Sequence, residues 1–355
     1  MTYRVIQWAT GGVGRAAIEA VASHPELELV GAWVHSEAKA GVDVGELVGG
    51  EPLGITATNE PDALLAMEAD CFLYSPIVAN RPEVVRILES GKNVVSPLNW
   101  FYRGSRDWSD LDAACAQGGV TLHGTGINPG GVTERFPLMV SALSRAVTHV
   151  RAEEWSDLRT YGAPNVIRDL MLFGKAPEEA RKSPMVQLMS DGFCQSIDML
   201  ADEIGFDLDA EKCTQHEVSA ATKPIDSPIG VIEPGQVAAQ RFTWQGLVRG
   251  EPVITVRTNW FMGEAGFESG WSFGPEGERF EVAVTGDPSC QMTFHGWHPE
   301  SIAAGLERNP GIVATAVHAV SAIPVVCRAD PGIKSYLDLP LVAGRAAPEL
   351  ARETQ

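Results

Sequence analysis

The sequence predicts a two-domain α/β protein. An N-terminal Rossmann domain with a doubly wound parallel sheet is followed by a C-terminal α+β domain with a mainly antiparallel, open sheet. Three observations carry this. Tyr3 to Ser36 reads as strand, glycine turn, amphipathic helix and strand. Strands and helices then alternate to about residue 145, the rhythm of a parallel sheet covered on both faces. Beyond it come long strand-like stretches joined by Gly, Pro and Asp, as in an antiparallel sheet with one open face. A chain of 355 residues is long enough for two such domains.

The opening turn reads Ala9-Thr10-Gly11-Gly12-Val13-Gly14. In the register of the dinucleotide fingerprint G-x-G-x-x-G, Gly11 and Gly14 fill the second and third glycine positions and Ala9 replaces the first. Gly11 lets backbone N–H groups approach a pyrophosphate, and Gly14 lets the following helix pack closely on the first strand. That helix carries Ile18, Val21 and Ala22 as its apolar stripe, and Pro25 closes it. Thr10, Gly11, Gly12, Val13 and Gly14 are therefore candidate cofactor contacts. An unliganded glycine turn is the alternative.

The second strand ends without the carboxylate that binds the ribose of NAD. His35 and Ser36 stand at its tip, with Lys39 just beyond. A hydroxyl, an imidazole and an ammonium suit a 2′-phosphate, so NADP is expected ahead of NAD. The alternative is that Ser36 and Lys39 are solvated loop residues.

The alternation continues with a strand over Gly54–Thr58, a helix from Pro61, a strand over Cys71–Ser75 and a helix from Arg81 to Ser90. A strand over Asn93–Ser96, a helix over Trp108–Gln117 and a strand over Val120–His123 complete it. Ser75, Pro76, Asn128 and Pro129 follow strand ends, where ligands of such sheets bind, and are expected to flank the cofactor. Asn128 also fits a turn residue bonded to its own backbone. The first domain is placed at residues 1–145, with a helix within 305–330 packing back on it. Residues 146–304 form the second, substrate-binding and dimerisation domain, and 343–355 a loosely ordered tail. In the second domain strands are expected over Val147–Trp155, Thr214–Thr222, Gln236–Arg249, Pro252–Phe261, Arg279–Thr285 and Cys290–His295, with a helix over Pro184–Ile204.

A net charge of −19 argues against nucleic acid and anionic membranes as partners. Six scattered cysteines without C-x-x-C, a start that enters a strand directly and no long apolar run point to a cytoplasmic protein. No spacing of His, Cys and carboxylates suits a metal, and no G-x-S-x-G elbow occurs.

Five segments carry a wider resemblance: ATGGVGR at the start, VHS after the second strand, GKNVVS, GTGINPGG and TAVHAVSAIPVVC. In this order they resemble the dihydrodipicolinate reductase-like proteins of the 2,4-diaminopentanoate dehydrogenase and amine dehydrogenase family. The resemblance implies a Rossmann domain plus an α+β substrate and dimerisation domain. It also implies NAD(P)-dependent interconversion of an amine with a ketone or aldehyde and ammonia, in a homodimer. The lysine- and histidine-rich motif of true dihydrodipicolinate reductases is missing. Amine dehydrogenases of the group tend to carry a glutamate after the GKNVVS-type strand, where this chain has Asn99 and Trp100. An amide cannot take an ammonium proton at neutral pH.

Asn99, Tyr102, Glu153 and Tyr161 are the candidates for the chemistry. The tyrosines are hydrogen-bond donors to a developing alkoxide, and Glu153 is a substitute for the absent acid. A loop aromatic (Tyr102) and a salt-bridged strand carboxylate (Glu153) are the alternatives. His298 reads as a loop histidine and His318 as a core histidine. Two other functions stay open: a carbonyl reductase that never uses ammonia, and a cofactor-binding protein without catalysis.

Overall fold

The computed structural model describes residues 2–268, 271, 278–294, 309–346 and 350–351. His298 and the end of the expected strand at His295 lie outside them. The chain divides into two compact units. One holds residues 1–100, 106–126 and 314–355, the other residues 101–105 and 127–313.

In the first unit, β1 (Tyr3–Trp8), α1 (Gly12–Ala22) and β2 (Leu27–Trp33) form the opening βαβ. Then follow α2 (Val44–Leu47), α3 (Pro61–Ala66), β3 (Cys71–Tyr74), α4 (Arg81–Glu89), β4 (Asn93–Ser96), α5 (Ser109–Gly118) and β5 (Thr121–Gly124). A short strand near the C-terminus, β14 (Gly332–Lys334), adds to the edge, giving the order β14-β5-β4-β3-β1-β2. Every pairing in this sheet is parallel. Val5, Cys71, Leu73 and Val95 face one apolar layer, shared with Ile18 and Val21 of α1 and with Ala316, Ala319, Val320 and Ile323 of α9 (Pro310–Val326). Ile6, Phe72 and Val94 face a second layer, with Val84, Ile87 and Leu88 of α4 and Leu111, Ala114 and Cys115 of α5. Adjacent strand residues thus point to opposite covered faces, which is why these strands are apolar throughout.

Two expectations are corrected. The face of α1 runs through Gly14, Ala17, Ile18 and Val21, and Ala22 is exposed. The stripe centres on Gly14, where helix and strand meet. Gly54–Thr58 forms isolated bridges, not a strand. Two of its backbone donors are taken by one side chain: Asp43 accepts from Gly54 and Ile55, as it does from Gly45 and Leu53, and Gly54 sits at a φ of +73°. Bonds that a ladder would use go to a carboxylate instead.

In the second unit, a π-type turn (Gly131–Arg135), α6 (Phe136–Ser141) and β6 (Arg145–Asp157) lead to α7 (Pro177–Ala180) and α8 (Met185–Ile204). There follow β7 (Cys213–Ala220), a small hairpin of β8 (Ile225–Ser227) and β9 (Gly230–Ile232), β10 (Val237–Val248), β11 (Glu251–Phe261), β12 (Arg279–Asp287) and β13 (Cys290–Phe294). The sheet order is β13-β12-β6-β11-β10-β7. Only the β6–β11 pair is parallel; the other pairs are antiparallel. One face presents Val150, Ala152, Phe242, Trp244, Ile254, Val256, Val282 and Val284 to Phe193, Ile197 and Leu200 of α8. The other carries Arg151, Glu153, Arg241, Arg257 and Asn259, joined by ion pairs and hydrogen bonds.

Candidate active site

The dinucleotide turn is built around one buried amide. Gln7 Nε2 donates to Trp8 O (3.1 Å), Ala9 O (2.9 Å) and Ser75 Oγ (2.8 Å), tying the end of β1 to the end of β3. Ser75 Oγ in turn donates to Trp8 O at 3.3 Å, and Pro76 follows it, half-buried. Ala9 adopts a φ of +76°, the left-handed conformation that favours glycine. The backbone of the fingerprint is thus kept although its first glycine is not. Gly14 is obligatory in this geometry, because a Cβ there would lie 2.1 Å from Ala9 O.

Gly11 has open space where its side chain would be, and it caps α1 without any side-chain hydrogen bond. The first N–H groups of α1 therefore have no capping side chain, and Gly12 opens the helix beside them. This cradle fits a dinucleotide pyrophosphate. Val13 turns inward and packs on the apolar layer under α1.

Lys39 reaches back from the short helical turn Glu37–Lys39 to place Nζ 3.4 Å from Thr10 Oγ1. Ser36 precedes that turn and its side chain makes no capping bond. The His35 ring lies 5.9 Å from Trp33, which stacks on Trp8 at 4.8 Å. The ammonium from the second strand's loop and the hydroxyl of the glycine turn thus converge.

Asn99 occupies the turn after β4. Its Oδ1 accepts from Trp100 N at 2.7 Å, and Trp100 has a φ of +64°. The backbone of Asn99 and Trp100 lies against the end of β5, where a Cβ on Gly124 would sit 2.3 Å from Asn99 O. Tyr102 lies elsewhere, in the second unit. Its hydroxyl donates to Asp202 at 2.8 Å, and burial, then Asp202, push its pKa up to about 12. Phe101 N and Tyr102 N both donate to Gln195 Oε1. Tyr102 thus ties its segment to α8.

Glu153 is committed to the charged face of the second sheet. Arg151, Arg257 (3.4 Å) and Asn259 Nδ2 (3.0 Å) hold its carboxylate. Its neighbour Glu154, which sequence reasoning missed, points to the other face. There Trp260 Nε1 donates to Glu154 Oε1 at 3.2 Å and Asn128 Nδ2 donates to Oε2. The residue stays partly accessible. Burial nevertheless pushes its carboxyl up to about 7, against which the two hydrogen bonds work.

Asn128 begins a cis peptide to Pro129. Pro129 and Phe101 pack beside Gly192 of α8, where a Cβ would lie 3.2 Å from Pro129 Cγ. Tyr161 is close enough that Glu154, after burial, raises its hydroxyl pKa. Glu278, just before β12, is pushed up to about 8 by burial, then by Asp157 and Glu154, while Arg159 opposes the rise. Asn128, Glu154, Tyr161 and Trp260 thus form one polar group, and Glu153, bonded on the opposite face of the sheet, is not part of it.

His318 has a hydrogen-bond partner: its Nε2 and the Tyr336 hydroxyl lie 2.9 Å apart, and Thr125 bonds the same hydroxyl. None of the six cysteines forms a disulfide, and no metal-holding cluster occurs among the described residues. No helix among them is long and apolar enough to cross a membrane.

Comparison with known proteins agrees with this architecture. Residues 132–352 match the 2,4-diaminopentanoate dehydrogenase C-terminal domain, and residues 5–94 the dihydrodipicolinate reductase N-terminus. An amine dehydrogenase of Streptomyces virginiae is 32% identical over 352 residues, covering 95% of this chain and 96% of that protein. A 2,4-diaminopentanoate dehydrogenase of Acetoanaerobium sticklandii is 26% identical over 65% of this chain and 61% of its own length. The solved structure of an amine dehydrogenase from Mycobacterium smegmatis superposes with a TM-score of 0.77 over 97% of this chain and 98% of that one. At 19% identity, that likeness bears on the fold. The glycine turn and the long match together show that the chain belongs to the 2,4-diaminopentanoate dehydrogenase and amine dehydrogenase family of nicotinamide-dependent oxidoreductases.

Proposed function

We propose that the protein is an NADP-preferring amine dehydrogenase that converts a ketone or aldehyde and ammonia into an amine, and the reverse. The observation that carries the reading is the near full-length identity with an amine dehydrogenase. The bound cofactor supplies or accepts the hydride. The chain's own residues bind and orient it. Gly11 leaves room for the pyrophosphate, Gly12 opens α1 beside it, and Ser75 holds the turn through Gln7. Lys39, drawn toward Thr10, with Ser36 and His35, supports a 2′-phosphate over a 2′-hydroxyl. Asn128 and Pro129, a few residues beyond β5, support a role beside the nicotinamide. A homodimer belongs to the same proposal, on the family resemblance, and sedimentation at several concentrations tests it.

The test is oxidation of NADPH and NADH over a panel of ketones and aldehydes, with and without ammonium. Turnover that requires ammonium, with higher kcat/KM for NADPH, is expected. Turnover independent of ammonium favours the carbonyl reductase. Tight NADPH binding without turnover on the whole panel favours a non-catalytic binder. Lys39→Ala is expected to weaken NADPH about 10-fold or more while leaving NADH nearly unchanged, since a phosphate contact carries a charge-assisted bond that a hydroxyl does not. An equal loss for both cofactors removes Lys39 from the phosphate site.

A further inference from the structure

We propose that Glu154, held by Asn128 and Trp260, is the acid–base residue that handles the ammonia proton, in place of the carboxylate absent at Asn99. This rests on the amine dehydrogenase reading. Three observations lead there. Each carboxylate oxygen of Glu154 accepts one hydrogen bond from a side chain, which fixes its direction. The amide nitrogen of Asn128 faces that carboxylate, because an amide oxygen there would be repelled. Asn128 Oδ1 is consequently left buried and without a hydrogen-bond partner among the described residues. A buried orphan acceptor beside a carboxylate asks for a ligand with several N–H donors and positive charge. Ammonium meets both needs.

The chemistry closes on itself. Glu154 carboxylate takes a proton from ammonium, leaving ammonia and a neutral carboxylic acid. Ammonia attacks the carbonyl carbon; the C–N bond forms as the carbonyl π pair moves to oxygen. A proton passes from nitrogen to that oxygen, giving the carbinolamine. Glu154 returns its proton to the departing hydroxyl, which leaves as water while the nitrogen pair closes the iminium. Carbonyl and ammonium have become iminium and water, and Glu154 is a carboxylate again. One group serves both steps only if it titrates close to the working pH. Its burial, which raises the carboxyl to about 7, provides this. Among the described residues, Tyr161 and Glu278 are the other titratable groups that interact with it, the latter also beside Asp157 and Arg159.

The experiment compares wild type and Glu154→Gln on two reactions: a ketone with ammonium, and a preformed cyclic imine that needs no ammonia. The variant is expected to lose about 100-fold or more in kcat/KM on the first and to stay within about threefold on the second. In wild type, kcat/KM for ammonium should rise through about pH 7, and the variant should lose that limb. Full activity of the variant on the ketone overturns the proposal, as does an equal loss on both reactions. If wild type itself shows no ammonium-dependent turnover, the functional reading fails and the proposal with it. Should Glu154→Gln not fold, Trp260→Phe gives the answer: loss of one donor to the carboxylate moves the acid limb to higher pH, by about half a unit or more. An unmoved limb overturns the role of Glu154.

Discussion

Glu134 shows at the scale of one residue how burial sets chemistry. It sits in the π-type turn, has no exposed surface, and accepts from Ser196 Oγ at 2.7 Å. Gly130 N–H, Thr133 and Ser196 form the hydrogen-bonded chain that ends on it. Desolvation pushes its carboxyl from 4.5 up to about 8. Between those values the folded chain keeps a proton that the unfolded chain has lost. Stability therefore falls as pH rises through that window and levels off above it. Glu134→Gln abolishes this loss, so the variant's Tm relative to wild type should climb between about pH 5 and about pH 8.5. A difference that stays flat with pH contradicts the account. Gly14 makes a second, sterically driven prediction. Gly14→Ala forces a Cβ onto the Ala9 carbonyl. It should destabilise the protein by about 1–3 kcal/mol and weaken NADPH binding. Thermal melts and fluorescence titration check both effects, and an unchanged Tm argues against the tight helix–strand contact.

At the scale of elements, α8 organises the second unit. Its apolar side covers the sheet, while Gln195 and Asp202, two turns apart on one face, hold the Phe101–Ser105 segment. Gln195 is fully buried and accepts from two backbone N–H groups. Gln195→Ala leaves the buried Phe101 N–H without this acceptor and should cost about 1–3 kcal/mol in urea unfolding. Tyr102→Phe gives up one partly exposed bond to Asp202 and should cost about 0.5–1.5 kcal/mol. The reverse order would show that Tyr102, not Gln195, secures the segment. The elements legible in the sequence were those with a clear period. Most of the βα alternation, the helix expected over Pro184–Ile204 and most of the long strand-like stretches appear close to where they were read. The β14 strand was not legible, since three residues carry no period. Nor was the loss of a strand at Gly54–Thr58, which depends on where the distant Asp43 carboxylate folds back.

For the whole molecule, the fold and the backbone of the glycine turn were readable because both follow from local pattern and order along the chain. The reacting carboxylate was not. Glu153 and Glu154 are chain neighbours, and a strand turns them to opposite faces. Which face joins Asn128 and Trp260, and which joins arginines, is decided by the pairing of β6 with β11 and β12. An alternating strand read alone cannot supply that. Tyr161 and Asn128, each read separately from the sequence, gain their meaning from the Glu154 between them. In the proposed reaction the product's nitrogen comes from ammonia. The most direct measurement of this is the mass of the product formed from a ketone, NADPH and ¹⁵N-labelled ammonium. An amine carrying the label, formed in step with NADPH oxidation, is expected; an alcohol formed in step with NADPH oxidation overturns the amine dehydrogenase reading.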